Sequence, residues 1–220
     1  MGKNLLTPKQ KQLLGLISED KIITRDFYLT GGTALSYFYF KHRFSEDLDF
    51  FCQKEISSKA LLTSISKIGD LVKPKKIEMQ SLNKQEIFYF YFGSKSFVKL
   101  DFAHFPFDTL GKFVKFNNLS ITSVEDITIN KVHALINRKR ARDYFDLCLC
   151  MKKLKWDGYD LIKNYRLKFE INLPIEQLAT NFINVLDAED LPIFVKKEDF
   201  NKTREFFLKE ADKLKKDIIS

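Results

Sequence analysis

The chain has 220 residues, 45% of them hydrophobic, enough to bury a sizeable core as one α/β domain or two small lobes. Its formal net charge of +8, with lysine far outnumbering arginine, suits an anionic partner such as RNA or a nucleotide, although lysine richness also follows genomic base composition. Cys52, Cys148 and Cys150 make an odd set with no CxxC, and neither Met1–Leu14 nor any other stretch carries a secretory core or a membrane-length apolar run. These features exclude a disulfide scaffold and a helical membrane protein, and the cytoplasm is the expected compartment.

Residues 7–18 begin with Thr7 as a cap and Pro8 in the first turn, and their leucines recur at helical spacing, so a short helix lying on the core is expected. Phe27 to Leu29 reads as a buried strand. The stretch from Gly31 to Phe50, GGTALSYFYFKHRFSEDLDF, is the first that carries chemistry. A glycine pair, Gly31-Gly32, follows the strand, and a helix is expected from Thr33 to Lys41 with its aromatic residues inward. Glycine lets the backbone approach a ligand, and the first N–H groups of a helix face an anion. The stretch closes on Asp47-Leu48-Asp49. Residues two apart on a strand share a face, so Asp47 and Asp49 stand side by side while Leu48 turns inward. Two such carboxylates repel unless a cation sits between them, and a hard divalent ion bound through oxygen is the usual answer. A phosphate on one side and a metal on the other describe a nucleotide site. The bland alternative is an acidic strand end beside an ordinary turn.

Ser57 to Gly69 follows a helical period, with serine as cap and Gly69 as stop. Three strands are expected at Lys76–Gln80, Glu86–Phe92 and Ser96–Ala103, the last two joined by a Gly93-Ser94 hairpin turn. Asp101 lies near the end of the third, sharing a face with Lys99 while Val98 and Leu100 take the other. Phe105 to Asn118 reads as a loop and Leu119 to Thr122 as a short edge strand.

Ser123 caps the next helix, with Glu125 and Asp126 in its first turn, where the helix dipole favours acid. From Lys131 the chain reads KVHALINRKRARDYFDLCLC. In an unbroken helix Lys131, Arg138, Arg142 and Asp146 are seven, four and four residues apart and fall within about 80° of one another, with Asp143 off that face. Alternatively the KRAR segment breaks the helix, and a new one starts with Asp143 near its positive end. His133 suits packing or capping, His42 and His104 lack partners at ligand spacing, and Cys148 and Cys150 diverge on a helix and read as core filler. Tyr159–Phe169, Pro174–Leu186 and Lys197–Ile218 are candidate helices of a C-terminal lobe, with lysines on its outer faces.

Two separate motifs carry a resemblance. The Gly-Gly turn followed by an acidic hxDxDxh strand resembles the signature of the nucleotidyltransferase superfamily. GGTAL with RFSEDLDFF is closer to the AbiEii/AbiGii toxin-like nucleotidyltransferases, and Lys131 to Leu147 matches that family's K-x-x-A-x-x-x-R and R-D-x-x-D-L motifs residue by residue. The resemblance covers residues 27 to about 150. It implies an α/β fold, a mixed sheet with flanking helices (residues 1–122), followed by a helical lobe (residues 123–220) that completes the active site.

The activity so implied is metal-dependent transfer of a nucleoside monophosphate from an NTP to an acceptor hydroxyl, with loss of pyrophosphate. Asp47 and Asp49 would hold Mg²⁺ or Mn²⁺, and Asp101 would supply the third carboxylate that superfamily members bring from a neighbouring strand. Gly31, Gly32 and Thr33 would receive the terminal phosphates, with Ser45 helping to position them. Lys131 would neutralise phosphate charge, and Asp146 would orient Lys131 or act as a base. Arg43, Arg138 and Arg142 would contact phosphate or acceptor, and Asp143 belongs to the same motif. The family's toxin–antitoxin association implies tRNA or another RNA as acceptor, and a cognate antitoxin. Transfer to a small molecule or protein, and a non-catalytic nucleotide- or RNA-binding protein on the same fold, are the alternatives.

Overall fold

The computed structural model describes residues 5–94 and 96–219, so Met1–Asn4 of the N-terminal reading above lie outside the described residues. It divides into two compact units, residues 1–108 with 112–122, and residues 109–111 with 123–220.

The first unit holds a mixed sheet. Among the described residues it has seven strands: β1 (Tyr28–Thr30), β2 (Asp47–Cys52), β3 (Lys76–Leu82), β4 (Gln85–Tyr91), β5 (Phe97–His104), β6 (Val114–Phe116) and β7 (Leu119–Ile121), in the order β3-β4-β5-β2-β1-β7-β6. β2 runs parallel to β5 and antiparallel to β1. Period-two alternation sorts the faces: Leu48, Phe50, Leu100 and Phe102 are fully buried, and Phe102 stacks on Phe50 (4.8 Å) and meets Phe27 and Phe88 edge-on. Two strand expectations change. β6 forms inside the stretch read as a loop, and β7, read as an edge strand, lies between β1 and β6. A three-residue strand leaves too little alternation to be seen in sequence.

Helices of this unit follow their caps. α1 (Pro8–Glu19) opens with a capping box between Thr7 and Gln10, and Asp20 then caps α2 (Lys21–Asp26), a short helix absent from the sequence reading. α3 (Gly31–Ala34) continues as a π-helical turn, Leu35–Phe40, whose aromatic residues Tyr37 to Phe40 are half-buried rather than inward-facing. α4 (Ser58–Val72) runs past Gly69, which therefore does not stop it. Gly69 instead admits β3: a Cβ there would lie 2.7 Å from Ile77 Cδ1. The helix ends at Lys73, in left-handed backbone, immediately before Pro74.

The second unit is helical: α5 (Val124–Asn137), α6 (Ala141–Leu154), α7 (Gly158–Phe169), α8 (Ile175–Ile183) with a 3₁₀ turn to Asp187, and α9 (Asn201–Ile219). Tyr144, Phe182 and Phe207 make its aromatic centre. Asp126 in the first turn of α5 is fully buried. It accepts hydrogen bonds from Ser123 Oγ and from the backbone N–H groups of Leu110 and Gly111, and it pairs with the buried Lys168. That carboxylate is why Thr109–Gly111 belongs to this unit rather than to the sheet.

Candidate functional site

Eight of the thirteen expected site residues lie in the sheet unit. The parallel register sets Asp47 opposite Lys99 and Asp49 opposite Asp101, so two carboxylates of β2 and one of β5 share a face with Lys99. On the other side of β2, Asp49 is opposite Thr30, the residue before the glycine pair. Gly31 has φ +73°, and a Cβ on it would lie 2.2 Å from Asp49 Oδ2. Glycine is required here twice, for its backbone and for the approach of that carboxylate. Gly32 admits Arg43 in the same way: a Cβ would lie 2.1 Å from the guanidinium and 3.2 Å from Ser45 Oγ. Arg43 is buried and donates to the Phe44 carbonyl (3.0 Å). Thr33 is buried too, and its hydroxyl donates to the Asp47 carbonyl, bracing β2 against α3. Gln10 of α1 donates to the carbonyls of Ser45 (2.9 Å) and Glu46 (2.8 Å), holding the approach to β2.

Spacing puts Lys99 on the Asp101 face of its strand and gives it no role; the register brings it to Asp47 as well. Its ammonium lies 3.0 Å from Asp101 Oδ2 and 3.8 Å from Asp47 Oδ2. Burial would lower its pKa, but Asp101, Asp47 and Asp49 together outweigh burial and hold it above the ordinary lysine range. Gln85 at the start of β4 donates to Asp101 Oδ1 (2.6 Å). Among the described residues no three acidic, His or Cys side chains converge closely enough to hold a metal ion. Instead the Lys99 ammonium lies between Asp47 and Asp101. The donor set itself is all carboxylate oxygen, which suits Mg²⁺ or Mn²⁺.

The other five residues lie at the α5–α6 junction of the helical unit. The helix breaks at Arg138, whose backbone is extended (φ −156°, ψ 150°), so the single-face model is wrong and the alternative with a new helix holds. Asp190 accepts from the Ala141 N–H (2.8 Å) and helps to start α6. Arg142 and Asp143 enter its first turn. Lys131, almost buried, places Nζ 2.6 Å from Asp143 Oδ1 and 2.7 Å from Asp146 Oδ2, and Arg138 Nε reaches Asp143 Oδ2 at 2.8 Å. Burial pushes the Asp143 carboxyl upward, yet the charges of Lys131 and Arg138 exceed that effect and hold it below the usual carboxylate range. Two cations and two carboxylates thus balance. Cys148 and Cys150 are buried as core filler, burial pushing the Cys150 thiol up to about 12, and His133 packs on Tyr165 with Nδ1 3.0 Å from its hydroxyl; Cys52 is buried too, its thiol pushed up to about 11.

The mixed sheet with flanking helices is a nucleotidyltransferase-like fold. JHP933 from Helicobacter pylori is similar in structure (TM-score 0.63, 19% identity, 94% of this chain and 90% of that one), as is MenT4, a nucleotidyltransferase toxin from Mycobacterium tuberculosis H37Rv (TM-score 0.61, 12% identity, 97% and 86%). In sequence, an uncharacterized protein of Aquifex aeolicus (strain VF5) is 29% identical over 192 residues, covering 83% of this chain and 87% of that protein. The family model of the nucleotidyl transferase AbiEii toxin of type IV toxin–antitoxin systems matches residues 18–215. The chain belongs to the AbiEii family and is a nucleotidyltransferase. Among the described residues no helix is long and apolar enough to cross a membrane.

Proposed function

We propose that this chain transfers a nucleoside monophosphate from an NTP to a hydroxyl of RNA, in a reaction that needs Mg²⁺ or Mn²⁺. The observation that carries the reading is the in-register pairing of Asp49 with Asp101, beside a Gly31 turn that Asp49 itself fills. Asp47, Asp49 and Asp101 would hold the divalent ion. When bound, such an ion neutralises the triphosphate and lowers the pKa of the acceptor hydroxyl. The acceptor oxygen forms its bond to the α-phosphorus, the bond to the β-phosphate bridge breaks, pyrophosphate leaves, and a carboxylate takes the acceptor proton. The backbone of the Gly31-Gly32-Thr33 turn receives the terminal phosphates. Here the buried Thr33 hydroxyl braces β2, so Thr33 contributes through its backbone. Arg43 and Ser45, both against Gly32, position the phosphates from below the turn.

In the helical unit Lys131 is oriented by Asp146 and Asp143, and with Arg138 and Arg142 it gives that unit positive charge of the kind that neutralises phosphate. The net charge of +8 favours a polyanionic acceptor, tRNA or another RNA, over a small neutral one. The family's toxin–antitoxin assignment makes a cognate antitoxin the expected protein partner. Incubation with each labelled NTP, Mg²⁺ and total cellular RNA tests the reading. Label should enter RNA with one or a few NTPs and stop when the ion is chelated. Label entering only protein or a small molecule would replace RNA as the acceptor.

A further inference from the structure

We infer that Lys99 is a resident counter-cation of Asp47 and Asp101, competing with the divalent ion for them and withdrawing when the ion binds. The inference rests on the proposed metal site. Three carboxylates on neighbouring strands repel one another unless positive charge lies among them. The ammonium of Lys99 supplies it from within the same sheet, 3.0 Å from Asp101 and 3.8 Å from Asp47. A divalent ion held by those oxygens would share the space with a like charge, so the two cations exclude each other.

The surroundings suit an exchangeable cation. The Lys99 side chain is about one-fifth exposed (21%), and a compact ammonium on a flexible four-carbon stem can leave without moving the strand. Asp101 does not depend on it for orientation, because Gln85 Nε2 holds the other oxygen, Oδ1, at 2.6 Å. Gln85 is the neutral, permanent partner and Lys99 the replaceable one. Asp49 is kept in place from the opposite side by the close packing of Gly31. Lys99 thus occupies the oxygens of Asp47 and Asp101 that the ion would need, and this lowers the affinity for the ion when no nucleotide is present.

The test is Mn²⁺ binding to the full chain without nucleotide, followed by electron paramagnetic resonance, for wild type, Asp49→Asn, Lys99→Met, Lys99→Gln and Lys99→Arg. Thermal unfolding of each is recorded with and without Mn²⁺. Asp49→Asn should lose binding. Lys99→Met and Lys99→Gln should bind Mn²⁺ about tenfold more tightly, unfold at lower temperature than wild type without the ion, and regain the difference with it. Lys99→Arg, which restores the charge, should bind like wild type. Unchanged or weaker binding in both neutral variants, with binding lost in Asp49→Asn, would overturn the role of Lys99 and leave the metal site standing. Equal binding by wild type and Asp49→Asn would remove the carboxylate site, and the role of Lys99 with it.

Discussion

Lys131 and Asp143 are 12 residues apart in the chain and 2.6 Å apart in the fold. The contact exists because the helix breaks at Arg138–Arg140 and restarts, turning the first turn of α6 back toward α5. Asp143 is fully buried and Lys131 nearly so, and removing one member of such a pair takes a counter-charge away from a charge held out of water.

Lys131→Met should therefore destabilise the protein by about 3–5 kcal/mol, measured by urea unfolding, because two buried carboxylates lose their shared partner. A cost below about 1 kcal/mol would show that the pair is solvated in solution.

The same cluster sets a pH dependence. The folded-state pKa of Asp143 is held below its unfolded value, near 3.9, so its contribution is complete above that pH and is lost as pH falls through the folded value. Wild type should lose stability steeply below about pH 4. In Asp143→Asn, stability should be lower at neutral pH and the acid slope shallower; identical slopes would assign the acid sensitivity to other carboxylates.

On the sheet, Asp47→Asn and Asp49→Asn should each reduce transfer on the order of a thousandfold, the loss of several kcal/mol of charge stabilisation, while circular dichroism and unfolding show an intact fold. Full activity in either variant would take the paired carboxylates out of the reaction.

Two glycines separate site from scaffold. Gly31→Ala should lower both activity and stability, since its Cβ meets Asp49 Oδ2 and its φ of +73° strains any L residue. Gly15→Ala, within α1 and with nothing within 4 Å of its Cβ, should be neutral or stabilise by about 0.5–1 kcal/mol. Activity and thermal unfolding of the pair decide this, and equal losses would mean that the turn is not special.

Asp126→Ala should destabilise the helical unit by about 3–5 kcal/mol, removing the carboxylate that meets the buried Lys168 and freeing the Leu110 and Gly111 N–H groups. Limited proteolysis should then cut near Thr109–Gly111 faster than in wild type. An unchanged cleavage pattern would mean that the segment is held by other contacts.

Some of this was legible in the residues alone, because it is local. Strand period put Asp47 and Asp49 on one face of their strand and Lys99 with Asp101 on one face of theirs; caps such as Thr7, Ser123 and the acidic start of α5 marked helix ends; motif order pointed to the family. Tertiary structure decided what depends on register and long-range packing. Only the parallel pairing of β2 with β5 sets Asp49 opposite Asp101 and brings the Lys99 ammonium toward Asp47. The role of Gly69 was misread because a glycine that ends a helix and one that admits a neighbouring strand look alike until Ile77 is in place. The partners of Gly31 and Gly32, Asp49 and Arg43, were hidden for the same reason. Whether Lys131 to Asp146 lies on one helix or two could not be settled by periodicity, since both readings fit the spacing. The break is set by distant groups such as Asp190 and by the charge balance among Lys131, Arg138, Asp143 and Asp146, energies that exist only once the chain has folded.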